Sequence, residues 1–127
     1  MNYPIINAFV KIVCPEVTLI FTKCQPNNYD FINDRIYFNP FDQNDGGFLN
    51  HIYKNHHCHF CYRFSLNLWT ILHEIGHCKT NDIIDFDEDN EQSVNYFDKE
   101  DEWQATEWAI NFVKNHYAIC AFINSVL

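Results

Sequence analysis

The feature that most constrains this chain is a proline-free stretch, Leu66–Lys79, whose apolar side chains recur at helical spacing. Leu68, Leu72 and Ile75 stand at positions i, i+4 and i+7, which places them on one face of a helix. Ser65 precedes the stretch, and a serine is a favoured N-cap because its side chain accepts a hydrogen bond from the first turn. The pattern therefore predicts a helix over these residues.

The predicted helix contains the motif His73-Glu74-Ile75-Gly76-His77. Positions i and i+4 lie about 40° apart around a helix, so both imidazoles can reach one metal ion. Glu74 projects beside them, where it can take a proton from a water molecule that the metal activates. Gly76 is costly inside a helix, which indicates close approach of another backbone or a substrate, with ordinary packing as the alternative.

A catalytic zinc site of this kind needs a third protein ligand. The extension that would supply a third histidine requires Gly at position 80 and His at position 83, where Thr80 and Ile83 stand. The alternative is a glutamate on a following helix, and Glu102 shares a predicted helix face with three small side chains that let helices lie close. These are Ala105, Thr106 and Ala109. The competing carboxylates are Glu100, Asp101 and Glu107.

The two segments resemble motifs of the ImmA/IrrE metallopeptidases, a family with a gluzincin-like zinc site. Members carry a segment like Phe-Thr-Leu-Ala-His-Glu-Leu-Gly-His, and this chain reads Trp69-Thr70-Ile71-Leu72-His73-Glu74-Ile75-Gly76-His77. Further along, the family has Glu-x-x-Ala-Asn-x-Phe-Ala, and this chain has Glu102-x-x-Ala105-Thr106-x-Trp108-Ala109. The resemblance extends over residues 15–115, although only these two motifs are specific. Thr106 and Trp108 replace the family's Asn and Phe, which bears on helix packing more than on ligation.

The resemblance implies that His73, His77 and Glu102 are zinc ligands and that Glu74 is the catalytic base. It also implies a zinc-dependent endopeptidase, a hydrolase that cleaves a helix-turn-helix repressor or similar regulatory protein. Such enzymes are often encoded on phages or other mobile elements. The alternative is a non-catalytic zinc-binding interaction module on the same fold, such as an antitoxin-like or regulatory partner. A second rival keeps the metal but acts on small substrates, as a deformylase or an amidase does.

The rest of the chain predicts an α+β fold, a zincin-like single domain over residues 1–127. A short helix is expected to begin at Pro4 and stop at Pro15, and β-branched and aromatic runs predict strands at Val17–Thr22 and Arg35–Asn39. This small N-terminal sheet would pack with the histidine helix and the glutamate helix. We expect an extended substrate to add to the Arg35–Asn39 strand.

The remaining segments carry weaker signals. Residues 40–61 predict a turn-rich insertion in which a helix could lie, and residues 80–97 form an acidic connector. The last helix is expected to run from Asp98 to His116, and the apolar tail from Tyr117 to Leu127 to pack on the core.

The charge distribution narrows the classes of partner. The chain has 17 acidic and 8 basic residues, a balance that disfavours nucleic acid and anionic membranes as direct ligands. Residues 82–102 hold ten carboxylates and one lysine and so account for the whole net charge of −9. Only three glycines are present, which excludes a glycine-rich phosphate loop. The acidic segment favours a basic protein substrate, and a DNA-binding repressor fits that sign.

Several other residues are secondary candidates. The N-terminus has neither a basic segment nor an apolar leader, so a cytoplasmic location is expected, where cysteines are free thiols or metal ligands. Cys58 and Cys61 form the one C-x-x-C and are candidates for a second metal, with a metal-free loop as the alternative. Residues 85–89 begin like an EF-hand loop but depart from its pattern later. The candidates for stabilising a tetrahedral oxyanion are Tyr96, His116 and Tyr117.

Overall fold

The computed structural model describes residues 1–42, 47–80 and 99–127, and the account below concerns these segments. The predicted α+β class is confirmed, with five α-helices and a three-stranded sheet among the described residues. The elements in chain order are α1 (Tyr3–Val13), β1 (Thr18–Phe21), β2 (Asn28–Asp30), β3 (Arg35–Phe38), α2 (Gly47–Asn55), α3 (Leu66–Thr80), α4 (Glu100–Asn115) and α5 (Tyr117–Val126). A short 3₁₀ turn, Cys61–Arg63, precedes α3.

The helix ends follow local sequence signals. At the start of α1, Ile5 N donates to Asn2 Oδ1 at 3.2 Å, and proline occupies the first turn as predicted. The predicted N-cap of α3 is confirmed, since Leu68 N donates to Ser65 Oγ at 3.3 Å. Helix α4 begins at Glu100 with Lys99 in the N-cap position, whereas the predicted first residue, Asp98, lies outside the described residues.

The sheet has the order β1-β3-β2, with β3 parallel to β1 and antiparallel to β2. Both predicted strands are confirmed, and β2 was not predicted. The expectation that a substrate adds to Arg35–Asn39 is wrong, because β1 and β2 occupy both edges of that strand. In the described segments the open edges of the sheet belong to β1 and β2.

Helix α3 lies in the middle of the core. Its Trp69, Leu72 and Ile75 are fully buried, and Trp69 Nε1 donates to Cys61 O at 2.8 Å. Ile36 and Phe38 of the sheet belong to the same apolar cluster. The predicted packing of the tail is confirmed, because helix α5 buries Cys120 and Ile123 against that cluster. No helix in the described part of the chain has the length and apolar character required to cross a membrane.

Candidate metal centre

The candidate site lies between α3 and α4, whose backbones approach each other closely. A Cβ atom built on Gly76 would lie 2.4 Å from the carbonyl oxygen of Ala105, so only glycine fits there. This confirms close backbone approach as the reason for a glycine inside the motif. Ala105 and Ala109 are completely buried on the facing side of α4, as their small side chains predict.

Close packing brings the three predicted ligands together. His73 Nε2 lies 2.6 Å from Glu102 Oε2, and His77 Nε2 lies 2.9 Å from the same oxygen. The two Nε2 atoms are 3.1 Å apart. His73 is 6% exposed and Glu102 is 5% exposed, while His77 is partly buried. His77 of α3 and Glu102 of α4 are 25 residues apart in sequence, and the packing of the two helices brings them into contact.

The contact made by Nδ1 of His73 bears on which ring nitrogen of this histidine carries a proton. Thr106 Oγ1 donates to the carbonyl oxygen of Glu102 at 3.0 Å and lies 3.0 Å from His73 Nδ1. A hydroxyl has one proton, and when that proton is donated to the carbonyl oxygen of Glu102, Thr106 accepts from His73 Nδ1–H. In neutral His73 the Nε2 atom then carries a lone pair that points at the Glu102 carboxylate. Sequence reasoning placed Thr106 on the correct helix face but did not assign it this contact.

This arrangement needs a proton or a metal ion between His73 and Glu102. A lone pair on His73 Nε2 would face a carboxylate oxygen at 2.6 Å, which is repulsive unless a proton or a metal ion lies between them. Burial opposes the ionisation of Glu102, but hydrogen bonds with His73 and His77 outweigh it and hold its pKa well below the ordinary range. Burial likewise opposes the charge on His77, yet its hydrogen bond with Glu102 raises its pKa to about 8.

The donor set fits a divalent metal ion. Ligand atoms around a tetrahedral zinc ion at 2.0–2.1 Å lie about 3.3 Å apart, and the three separations here are 2.6–3.1 Å. Two imidazoles and one carboxylate are also a ligand set that zinc accepts. His73, His77 and Glu102 could hold either protons or a metal ion.

Glu74 lies beside these donors without joining their hydrogen-bonded group. One of its carboxylate oxygens is within 4.8 Å of the ring nitrogens of both motif histidines. The side chain is 9% exposed, and burial raises the pKa of its carboxyl, although the neighbouring histidines oppose the rise. The backbone N–H of Tyr29 in β2 donates to this carboxylate, a partner that sequence reasoning did not find.

Two of the competing carboxylates, Glu107 and Glu100, have other partners, whereas the charge of Asp101 acts on His77. His56 Nδ1 lies 2.7 Å from Glu107 Oε1, and the ring of His56 stacks on Trp103 at 3.8 Å. Gln104 Nε2 donates to Glu100 at 2.7 Å on the exposed side of α4. Helix α2, which lies inside the predicted turn-rich insertion, also borders the site, because the ring of Phe48 contacts His73 edge-on at 5.0 Å.

The structure does not bring His116 and Tyr117 to the site. Fourteen residues separate Glu102 from His116 along α4, which is about 21 Å at the helical rise per residue. Tyr117, the first residue of α5, follows His116 beyond the far end of α4, where it packs on Phe64 and accepts from Arg63 Nη1 at 3.5 Å. Neither can reach a carbonyl bound between the histidines, so both are withdrawn as oxyanion donors. Tyr96 and residues 85–89 lie outside the described residues.

Cys58 and Cys61 are brought together, and both are buried. Burial raises the pKa of each thiol, that of Cys61 to about 11. Within the described ranges no third potential ligand joins them. The role of this pair as a second metal site stays a prediction.

Comparison with known proteins gives no assignment. No protein-family model, no curated protein and no solved structure matches this chain.

Proposed function

We propose that the chain is a zinc-dependent endopeptidase of the ImmA/IrrE type, with a zincin-like arrangement of its two metal-binding helices. The observation that carries the proposal is the convergence of two imidazole nitrogens and one carboxylate oxygen within 3.1 Å, with a second carboxylate beside them. A structural metal site has no use for that second carboxylate, whereas hydrolysis needs a base. Its position supports an enzyme over a non-catalytic module.

His73, His77 and Glu102 would hold the ion. Thr106 would keep Nε2 of His73 free to bind it, because the hydroxyl takes the proton of the other ring nitrogen. When bound, zinc would supply Lewis acidity to a peptide carbonyl and to an attacking water molecule.

Glu74 would move the proton. As a carboxylate it accepts a proton from the attacking water, and as a carboxylic acid it returns that proton to the leaving amine. Burial that raises its pKa favours the protonated form more than solvent would, which suits the second half of this cycle. The Tyr29 N–H keeps the carboxylate in place while it is charged.

The open edge of β2 is the favoured position for an extended substrate. Tyr29 is the middle residue of this strand, and its N–H donates to Glu74. A peptide along this edge would pass beside the catalytic carboxylate and would be recognised through backbone groups of the strand other than that N–H. The charge of residues 82–102 supports a basic target, of which a DNA-binding repressor is one kind.

A peptide library tests the proposal. The zinc-loaded wild type and its matched Glu74→Gln variant would each be incubated with peptides derived from a whole proteome, and new termini would be counted by mass spectrometry. We expect cleavage by the wild type only, with lysine and arginine enriched around the cleaved bonds. Equal cleavage by both proteins would mean that Glu74 is not the base. An absence of cleavage by folded, zinc-loaded wild type would favour the interaction module.

A further inference from the structure

A second group of metal-binding atoms lies outside the site described above. Cys14 Sγ is 3.1 Å from Cys78 Sγ, and Cys78 Sγ is 3.5 Å from Glu16 Oε1. All three donor atoms lie within 4.8 Å of one another. Cys14 is completely buried and Glu16 is exposed, so the group extends from the core to the surface.

The backbone holds these residues in place. Cys14 is the C-cap of α1, where its N–H donates to Val10 O, and Val17 N donates back to Cys14 O at 3.1 Å. Lys11 Nζ donates to the carbonyl oxygens of Pro15 and Val17 and so ties the same turn to α1. The turn presents Cys14 and Glu16 to the last part of α3, where Cys78 lies. The Tyr29 hydroxyl, which donates to Asp34, lies within hydrogen-bonding reach of Cys78.

Cys14 Sγ and Cys78 Sγ lie 3.1 Å apart, as partners in a thiol–thiol hydrogen bond, and neither cysteine is in a disulfide. Such a pair can exchange its thiol protons for a shared cation, because the thiolate is the form that binds metals. A third donor at 3.5 Å has no part in a disulfide, but it is expected at a metal ion.

We propose that Cys14, Cys78 and Glu16 form a second metal site, for a divalent cation that binds thiolates, such as zinc. Around tetrahedral zinc two thiolate sulfurs lie about 3.8 Å apart, so binding requires them to separate by about 0.7 Å. Two S–H bonds break and two metal–sulfur bonds form, and both protons leave to solvent. The site has three protein ligands and a solvent-facing side at Glu16, which leaves room for a water ligand.

This ion is distinct from the one between α3 and α4. Cys78 follows His77, but consecutive helical residues point about 100° apart, so the thiol faces α1 and the sheet instead of α4. Lys79 Nζ lies 3.9 Å from Glu16 Oε1 on the solvent side of the group. A bound cation would tie the end of α1 to the last turn of α3, one residue from His77.

Cobalt(II) distinguishes the two sites, because only thiolate ligands give a sulfur-to-cobalt charge-transfer band in the near ultraviolet. The fully reduced, full-length protein would be titrated with cobalt without oxygen. We expect the band in wild type and in Glu102→Ala, and its loss in Cys14→Ser and Cys78→Ser. The matched controls are Cys120→Ser, another completely buried cysteine, and Cys58→Ser, from the other thiol pair. Both should keep the band.

The exposed ligand gives a variant that folding cannot confound. Glu16→Gln should weaken cobalt binding at the thiolate band by about tenfold or more while circular dichroism stays unchanged. The proposal is overturned if reduced wild type shows no band, if Cys58→Ser removes it, or if Glu16→Gln binds cobalt as wild type does. A Cys14–Cys78 disulfide that re-forms after reduction, together with no band, would make the pair a redox element instead.

Discussion

Replacing Gly76 by alanine tests how α3 and α4 are held together. The new Cβ would lie 2.4 Å from the carbonyl oxygen of Ala105 and 3.0 Å from its carbonyl carbon and Cα. All three are backbone atoms, so no side-chain rotation relieves the clash. Ordinary contacts begin at 3.4 Å, so α3 and α4 would have to separate by about 1 Å.

The magnitude follows from two opposing terms. Overpacking of a rigid core costs about 1–3 kcal/mol, and a clash with backbone belongs at the upper end of that range. Alanine is a better helix former than glycine by about 1 kcal/mol, which offsets part of the cost. We therefore expect the free energy of unfolding to fall by about 2 kcal/mol, or the Tm by about 6–8 °C. Glu102 precedes Ala105 by one turn, so metal affinity should fall as well.

Urea unfolding followed by circular dichroism measures this loss, with Gly47→Ala as the matched control. A Cβ on Gly47 meets nothing within 4 Å, so that variant should stay within about 0.5 kcal/mol of wild type. If Gly76→Ala is as stable as wild type, or more stable, helix propensity outweighs the contact and the close approach of α3 and α4 is refuted.

Three further predictions concern single side chains. Thr106→Val removes the hydroxyl that contacts His73 Nδ1, so zinc affinity measured against a chelating dye should fall about 10–100-fold. Thr106→Ser keeps a hydroxyl and should retain most of the affinity. Unchanged affinity in Thr106→Val would contradict a role for this contact in zinc binding. Glu107→Gln changes a partly exposed carboxylate that contacts His56 Nδ1, so it should cost less than about 1 kcal/mol in urea unfolding and leave the zinc content unchanged. A loss of zinc would make Glu107 a ligand. Burial raises the pKa of Cys61 to about 11, so its thiolate forms only as pH rises toward that value. At pH 8 iodoacetamide should therefore label the exposed Cys24 and spare Cys61, as measured by peptide mass spectrometry. Equal labelling of the two cysteines would contradict the burial of Cys61.

The helices that carry the site could be predicted because helical spacing is a local property. The positions of His73 and His77 follow from 3.6 residues per turn once the stretch is helical. The small residues at Ala105 and Ala109 predicted a close neighbour, and Gly76 predicted where that neighbour approaches. Both predictions rest on side-chain size, which can be read directly from the sequence.

Other parts required contacts that are distant in sequence. Strand β2 contains Asn28, Tyr29 and Asp30, two of them poor strand formers, and it exists because β3 pairs with it. The partner of Tyr29 N–H could not be predicted for the same reason. His116 was proposed as a donor from its residue type alone, and the length of α4 then placed it about 21 Å from Glu102.

Zinc content measured by mass spectrometry on dialysed protein tests the central claim most directly. Removing one ligand of a three-residue site should abolish binding there, whereas changing the base should not. We predict that folded Glu102→Ala carries one zinc per chain fewer than wild type, and that Glu74→Gln carries as much as wild type. If Glu102→Ala retains the zinc content of wild type, the ion is not held between α3 and α4, and the proposed metal centre is wrong.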